Sequence, residues 1–506
     1  MRSHTKIAPK RKTQGRPSHV KIDVQGLFAD ENGLKIVESL LSSVDPSKIT
    51  PAYSLKIISK LSDLVNHGKV KITDFDQDDR YKALCSQLST KPRKKSVGKL
   101  TDTVEQEIQN SNQQLYEKKL GFFFDMNEIQ KIAEKSNMSI NHAVQIMSKL
   151  AFHKSRVVPV LQSLANHIVQ SNREINIKIA SDILYNMAVL NFYDEVLIEK
   201  IASGLVSQIS KTDKKHSAVI GSLSKSIGIL RYRNENLLIQ LTAWMLENSK
   251  SARPQEICSF LVTLAVVGYS PLTETDKLKE FADNLKESDM VGAEDWLDVV
   301  WALVVLNLAN EAQVLSVLDK NFLSRLSDVQ KVSESKKRKL LNILSVAKLI
   351  FKQDTGQFFE ENAWVLEVTL ERSKEKLEFV KAIITSLHAL LPTNGCLKTN
   401  VNTGMGFALD AEFYVDKKCN PVLVNQIESK EKQALRLGVV PQSYYDFCRG
   451  DEQIIGPVLF HCELLRLSGY HVISIPYTEF ELDRKVVERV KYLRDKIKAT
   501  VEQCSV

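Results

Sequence analysis

A short tripeptide, aliphatic-any-aromatic, returns along the middle of the chain at a near-constant interval, and this constrains the fold more than any other feature. It stands as Leu150-Ala151-Phe152, Leu190-Asn191-Phe192, Leu230-Arg231-Tyr232 and Val267-Gly268-Tyr269, with a weaker copy, Leu306-Asn307-Leu308; the steps are 40, 40, 37 and 39 residues. In each unit an apolar helical stretch such as IASDILYNMAVL (179–190) runs into the tripeptide, and a second amphipathic stretch such as EVLIEKIASGLV (195–206) follows a short polar break. Two helices per period of about 40 residues is the pattern of an α-solenoid. One pair cannot cover its own apolar face, so neighbours must stack, and a curved stack offers a groove to a linear ligand. The same helices could pack as one irregular all-α domain; the even spacing favours the repeat.

The flanks support a mainly α chain. GLKIVESLLSSV (33–44) and SLKIISKLSDLV (54–65) carry apolar residues at three- and four-residue spacing. With 19 Gly and 13 Pro in 506 residues, long helices with short connections are favoured over an all-β fold. The stretch Lys91 to Lys99 is polar and basic and reads as a linker or exposed loop. The first residues are basic through Arg2, Lys6, Lys10, Arg11, Lys12, Arg16 and Lys21, with no acid before Asp23. That composition fits a mitochondrial presequence, a nuclear signal at Pro9-Lys10-Arg11-Lys12, or a disordered basic arm; Pro9 and Pro17 interrupt any amphipathic helix. The seven cysteines form no C-x-x-C pair and are odd in number, which argues against a disulfide framework or zinc site. The apolar runs Ile257 to Tyr269 and Trp296 to Ala309 are too short to span a bilayer.

Residues 331–391 are again helical, with Ser335-Lys336-Lys337-Arg338-Lys339 opening an apolar stripe, and Pro392-Thr393-Asn394-Gly395 marks a boundary. The pattern then turns to β. FALDAEFYVD (407–416) alternates, a turn follows, and PVLVNQI (421–427), ALRLGVV (434–440) and HVISIP (471–476) read as further strands. IIGPVLFHCELLRLSGY (454–470) and VVERVKYLRDKIKATV (486–501) read as helices. The order β-β-β-α-β-α describes a small α/β domain.

The turn Pro476-Tyr477-Thr478-Glu479-Phe480, set between a strand and a helix carrying Tyr492-Leu493, resembles the RAP domain; Asp298-Val299-Val300-Trp301-Ala302-Leu303 resembles the end of a first FAST-type region. Together these resemble the FAST kinase domain-containing family over residues 130 to 500. The resemblance implies an organisation: a basic arm (1–23), an N-terminal helical region (24–130), helical repeats with the first FAST-type region (131–330), a second FAST-type region (331–403) and a RAP α/β domain (404–502). The fold expected is mainly α, an α-solenoid of helical hairpins followed by a small restriction-endonuclease-like RAP domain. The resemblance also implies binding, stabilising and processing of mitochondrial transcripts in the matrix, and so favours the presequence reading of the arm.

A kinase would need a glycine-rich loop, a paired lysine and two catalytic or metal-holding aspartates. Gly404-Met405-Gly406 lacks a third glycine and precedes a strand, and Asp446-Phe447-Cys448 is a chance likeness to a kinase motif. A metal-dependent nuclease is the stronger enzymatic alternative. Asp410 and Glu412 alternate on one strand and could face one side, but the neighbouring strand offers Arg436 and no acidic-x-Lys, so the pair could equally anchor salt bridges to Arg436 or to the helices. His461 and His471 read as packing or surface residues. The expectation is a binding protein without catalysis of its own, with no cofactor and no metal. A protein-only scaffold remains a further alternative.

For RNA, Lys154, Arg156, Arg231 and Arg233 near the repeat turns offer phosphate contacts, and Tyr232 between two arginines offers a stacking surface. The recurring aromatic could equally pack helices. Arg436, Arg466, Tyr477, Lys491 and Arg494 could line a second surface, although Lys491 and Arg494 also fit the solvated face of an amphipathic helix. The expected partners are single-stranded RNA, mitochondrial transcripts in particular, and other mitochondrial RNA-processing proteins, with no membrane insertion.

Overall fold

The computed structural model describes residues 33–42, scattered positions between 54 and 78, residues 79–89, and residues 138–503 apart from 272, 329–331, 355–357, 359–362, 367, 369–371, 392–394 and 424–433. The basic arm and the stretch 91–99 lie outside the described residues. Two compact units are present, Met1–Ile129 and Gln130–Val506. The first holds α1 (Gly33–Ser42) and α2 (Asp79–Ser89), joined by a 3.0 Å ion pair between Arg80 and Glu38.

The second unit opens with hairpins of helices: α3 (Ile140–Phe152) with α4 (Val158–Gln170), α5 (Ile177–Val189) with α6 (Glu195–Ile209), and α7 (Ser217–Leu230) with α8 (Glu235–Asn248). Next come α9 (Pro254–Val267) with α10 (Thr275–Asn284), then α11 (Ala293–Val305), the short α12 (Glu311–Ser316) and α13 (Lys320–Asp328), and α14 (Glu334–Leu349). Their starts are capped by short polar side chains: Ser139, Asn176, Asp194, Asn234 and Asn310 each accept a backbone N–H three residues on. The first helix of each hairpin stops on a left-handed residue: Lys154, Asn191, Arg231, Gly268 and Asn307 all have φ between 45° and 62°. The residue after the stop donates back five residues, as Phe192 N–H does to Met187 O at 2.9 Å, Tyr269 N–H to Leu264 O at 3.0 Å and Leu308 N–H to Leu303 O at 2.8 Å. That residue is then buried, which explains the recurring aromatic.

The first landmark is displaced. Phe152 is the last residue of α3 and stands exposed, while the left-handed stop and its 2.9 Å bond, Ser155 N–H to Leu150 O, come at Lys154. Counted by stops, the register runs 154, 191, 231, 268 and 307.

The hairpins stack in two rows. Helices α3, α5, α7, α9, α11 and α14 touch in succession, and α4, α6, α8 and α10 touch in a second row. Within the first row α7 and α9 approach closely: a Cβ on Gly221 would lie 2.6 Å from Glu256 Cγ and one on Gly228 would lie 2.6 Å from Thr263 Oγ1. Polar side chains bind the carbonyl ends of the preceding or following helix. Lys200 Nζ donates to Val169 O and Ser171 O at 2.6 Å, Trp244 Nε1 to Thr212 O at 2.9 Å, Arg156 Nε to Asn191 O at 3.2 Å, and Arg233 Nη1 to Gly268 O at 2.8 Å. Cations at helix C-termini are favoured by the macrodipole and satisfy carbonyls that the helix leaves open.

After α15 (Lys374–Leu390) comes a sheet of β2 (Leu397–Asn402), β3 (Ala408–Val415), β4 (Pro421–Val422), β5 (Leu435–Gln442) and β7 (His471–Pro476); the two-residue β6 (Arg449–Gly450) and α16 (Gly456–Leu467) lie between β5 and β7, and α17 (Val486–Gln503) closes the chain. The strand order is β2-β3-β5-β7, with β4 beside β3; β3 is antiparallel to its neighbours and β5 runs parallel to β7. The sheet thus begins at Leu397, ahead of the first strand expected at 407–416, because the polar LKTNVN stretch is an edge strand without an apolar period to reveal it. Of the strand expected at 421–427, Pro421–Val422 is a strand, and 424–427 lies outside the described residues. Helices α15 and α17 share one core with Ala411, Phe413, Leu437, Val439, Ile473 and Ile475, while α16 packs against α9, α11 and α14. The described chain is therefore mainly helical, with a small sheet near its C-terminus. No helix among the described residues is long and apolar enough to cross a membrane.

Candidate nucleic-acid interface

Two of the contacts between the C-terminal sheet unit and the helical rows shape the site. At the first, β1 (Tyr232–Arg233) runs parallel to β6, with Tyr232 opposite Arg449 and Arg449 N–H donating to Arg231 O at 2.8 Å. At the second, Gly456 at the start of α16 presses on the carbonyl end of α9, where an added Cβ would stand 1.9 Å from Ala265 O. The positive end of one helix dipole thus meets the negative end of another.

Residues far apart in sequence meet along this seam. A pocket of about 110 Å³ is lined by Tyr193, Arg231, Tyr444, Phe447, Arg449 and Tyr477, among others. Arg449 lies 4.6 Å over the Tyr193 ring, and its Nε and Nη1 are buried donors without a partner. Arg231 donates to Tyr445 O and lies 5.8 Å over the Tyr445 ring. Its pKa is lowered, first by burial and then by the neighbouring Arg449 charge. Two half-buried guanidinium groups therefore stand together, with Glu195, Glu452 and Asp446 as carboxylates near them, and an anion placed between the two would meet both cations. Arg231 also occupies a left-handed stop, which Asn191, Gly268 and Asn307 fill in three other repeats and Lys154 in the first; the conformation strains a long side chain. Four aromatics continue the site edge to face: Tyr445 to Tyr444 at 5.6 Å, Tyr444 to Tyr477 at 5.8 Å, and Tyr477 to Phe447 at 5.4 Å between centroids. Tyr444 and Tyr445 are 51% and 44% exposed, open enough to receive a base.

Of the residues expected to bind RNA, the structure brings Arg231 and Tyr477 together here. Tyr232 is corrected: at 2% exposure it fills the seam and cannot stack on a base from where it stands. Arg233 is also spoken for, since its Nη1 donates to Val267 O and Gly268 O and its Nε lies 3.5 Å from Asp451. Arg156 holds the next repeat, and Lys154 is exposed at its stop. Arg436 is drawn into the sheet unit, 3.1 Å from Glu412 and 3.9 Å over the Tyr470 ring. Arg466 pairs with Glu463 on α16, while Lys491 and Arg494 stand exposed on α17. Tyr193, Tyr444, Phe447 and Arg449 were missed, because no local pattern links them.

Asp410 and Glu412 do not form a shared site. Arg372 Nε lies 2.7 Å from Asp410 Oδ1, an ion pair short of hydrogen-bond geometry, whereas Glu412 takes Arg436 and the Tyr470 hydroxyl, which donates at 2.8 Å. Burial pushes Asp410 up to about 6 against the opposing pull of Arg372 and Lys376. The residues serve as ion-pair anchors. His461 lies in a cleft rather than in plain packing, stacked on Phe407 at 4.1 Å, and burial drives its pKa down to about 3, leaving a neutral imidazole.

Helical rows closed by a small sheet unit, with an arginine and aromatic seam between them, describe the arrangement, and comparison with known proteins shows what the chain is similar to. The chain matches FAST kinase-like protein, subdomain 1, over residues 257–327, FAST kinase-like protein, subdomain 2, over 337–423, and the RAP domain over 441–496. It therefore carries the FAST kinase-like subdomains followed by a RAP domain, as the Pro476–Phe480 turn and the 298–303 stretch led one to expect. It is similar to FAST kinase domain-containing protein 4 of Rattus norvegicus, 23% identical over 71% of this chain and 58% of that protein. The Homo sapiens protein of that name is 22% identical over 72% of this chain and 59% of its own length. FAST kinase domain-containing protein 2, mitochondrial, of Rattus norvegicus is 22% identical over 74% of this chain and 53% of its own length. The chain thus spans less than two thirds of the length of these relatives.

Proposed function

We propose that the chain is an RNA-binding protein that regulates the stability and processing of mitochondrial transcripts without catalysis of its own, and that it grips single-stranded RNA at the seam. The observation that carries this reading is Arg449, a half-buried cation whose Nε and Nη1 are open donors, set among Tyr193, Tyr444 and Tyr477. Arginine beside open aromatic faces is the combination that single-stranded nucleic acid needs: phosphate contacts for affinity and ring faces for bases. The RAP match supports RNA as the ligand, and the word mitochondrial in the names of relatives supports the compartment, with the matrix as the site of action.

On this reading the helical rows are an α-solenoid that carries the strand, and the RAP unit, taken as a trimmed endonuclease-like fold spanning 404–502, closes over it. The ion pairs at Asp410 and Glu412 support binding rather than cleavage, since both carboxylates are engaged by arginine. Bound RNA would be shielded from exonucleases or presented to other processing proteins. A filter-binding titration of the intact chain with single-stranded RNA tests the proposal. Binding that weakens steeply with salt, and weakens further in Arg231→Ala/Arg449→Ala, is expected; salt-independent affinity, or a double variant that binds normally, rejects it. Incubation with Mg²⁺ is expected to leave the RNA intact, and cleavage lost in Asp410→Ala would favour the nuclease instead.

A further inference from the structure

A second cleft, of about 410 Å³, opens on the other side of the Ser443–Asp446 turn. Its lining includes Arg338, Arg372, Lys376, Phe407, Tyr445 and His461, together with Asp410 and Asp446. A volume of this order suits a small ligand. Arg372 is tied by two of its nitrogens: Nε faces Asp410 at 2.7 Å and Nη1 donates to Asn400 Oδ1 at 2.7 Å. Its Nη2 is a buried donor with no partner. Lys376 Nζ lies 2.9 Å from Asp446 Oδ2, which also accepts from Ser443 N–H and Oγ–H at 2.8 Å. Both cations sit at the start of the 17-residue helix α15, capped by Ser373, so its positive dipole end faces the same space. Phe407 and His461, which also line the cleft, stack face to face at 4.1 Å, and the imidazole is neutral.

The two pockets are neighbours. Tyr444 lines the seam pocket, Tyr445 lines the cleft, and their centroids are 5.6 Å apart. A strand crossing the Ser443–Asp446 turn meets one and then the other.

We propose that this cleft is a nucleotide subsite of the RNA path, in which one phosphate sits on Arg372 and Lys376 and the attached base extends the Phe407–His461 stack. This rests on the seam being an RNA interface. Arg372 and Lys376 each face one carboxylate, and the open Nη2 donor of Arg372 is what an added anion would meet. Asp410 is the group that must yield when phosphate competes for Arg372, and burial already raises its pKa to about 6.

The test uses the intact chain with uridine monophosphate and a single-stranded oligoribonucleotide as probes, measured by calorimetry and by competition. Uridine monophosphate is expected to bind and to compete with the oligonucleotide. Arg372→Gln and Lys376→Gln are each expected to weaken both ligands about tenfold or more, as loss of a charged hydrogen bond does. Thermal melting of both variants checks folding, and Lys376→Gln, at a less buried position, serves where Arg372→Gln unfolds. Oligonucleotide binding that is unchanged in a folded variant overturns the subsite and leaves the seam reading intact. Uridine monophosphate that binds without competing also overturns it, since the cleft would then be a site for free nucleotides. No oligonucleotide binding to the unmodified chain rejects the seam reading itself.

Discussion

Gly456→Ala should separate the RAP unit from the helical rows while changing a single methyl group. The new Cβ would fall 1.9 Å from Ala265 O and 3.0 Å from Gly268 Cα. Carbon and oxygen normally approach no closer than about 3.3 Å, so α16 must retreat from α9 by about 1.4 Å. Neither obstacle can rotate away, because both are backbone. Overpacking of this kind costs about 1–3 kcal/mol, and the rigid neighbour places this case at the upper end. The loss falls on docking, so β6 and the first turn of α16 should exchange amide hydrogens faster while the helices α3 to α6 keep their protection. The seam pocket widens with them, and RNA affinity should fall about tenfold for every 1.4 kcal/mol of lost docking. Native hydrogen exchange at β6 and α16, or native RNA affinity, in the alanine variant would refute the reasoning.

Other substitutions separate packing from binding. Gly204→Ala meets only Gln208 at 4.0 Å and should raise stability by about 0.5–1 kcal/mol in denaturant titration, whereas Gly228→Ala, facing Thr263 at 2.6 Å, should lower it by about 1–3 kcal/mol. Tyr232→Phe should leave RNA affinity unchanged in a binding titration, since that ring is buried. Asp410 titrates at 3.8 when unfolded and at about 6 when folded. Between those values the folded chain holds a proton that the unfolded chain has released, so stability falls as pH rises through the window; Asp410→Asn should flatten that slope in denaturant midpoints taken at both ends of it.

Much of the fold was legible because it is written locally. Asn176, Asp194 and Asn234 announce helix starts, and Asn191, Gly268 and Asn307 announce stops. Phe152 misled because it has the chemistry of the landmark without its geometry; the stop at Lys154 uses a residue not associated with that conformation. The edge strand Leu397–Asn402 was hidden by its polar, exposed sequence. The seam was illegible for a different reason. Tyr193, Arg231, Arg449 and Tyr477 belong to four separate segments and meet only once α16 docks on α9. Asp446-Phe447-Cys448, which looked like a chance fragment, turns out to line that junction, with Cys448 Sγ 3.5 Å from Val267 O. Tyr232 looked suited to stacking because its neighbours are arginines, but adjacency in sequence says nothing about which of the three the β1–β6 pairing buries.

Zero-length ultraviolet crosslinking of the intact chain to single-stranded RNA, followed by mass spectrometry of the joined peptides, tests the central claim most directly. The seam predicts crosslinks at Tyr444, Tyr445 and Tyr477, lost in Arg231→Ala/Arg449→Ala. Crosslinks confined to the exposed side of α17 around Lys491 and Arg494, with none at the seam tyrosines, would contradict it.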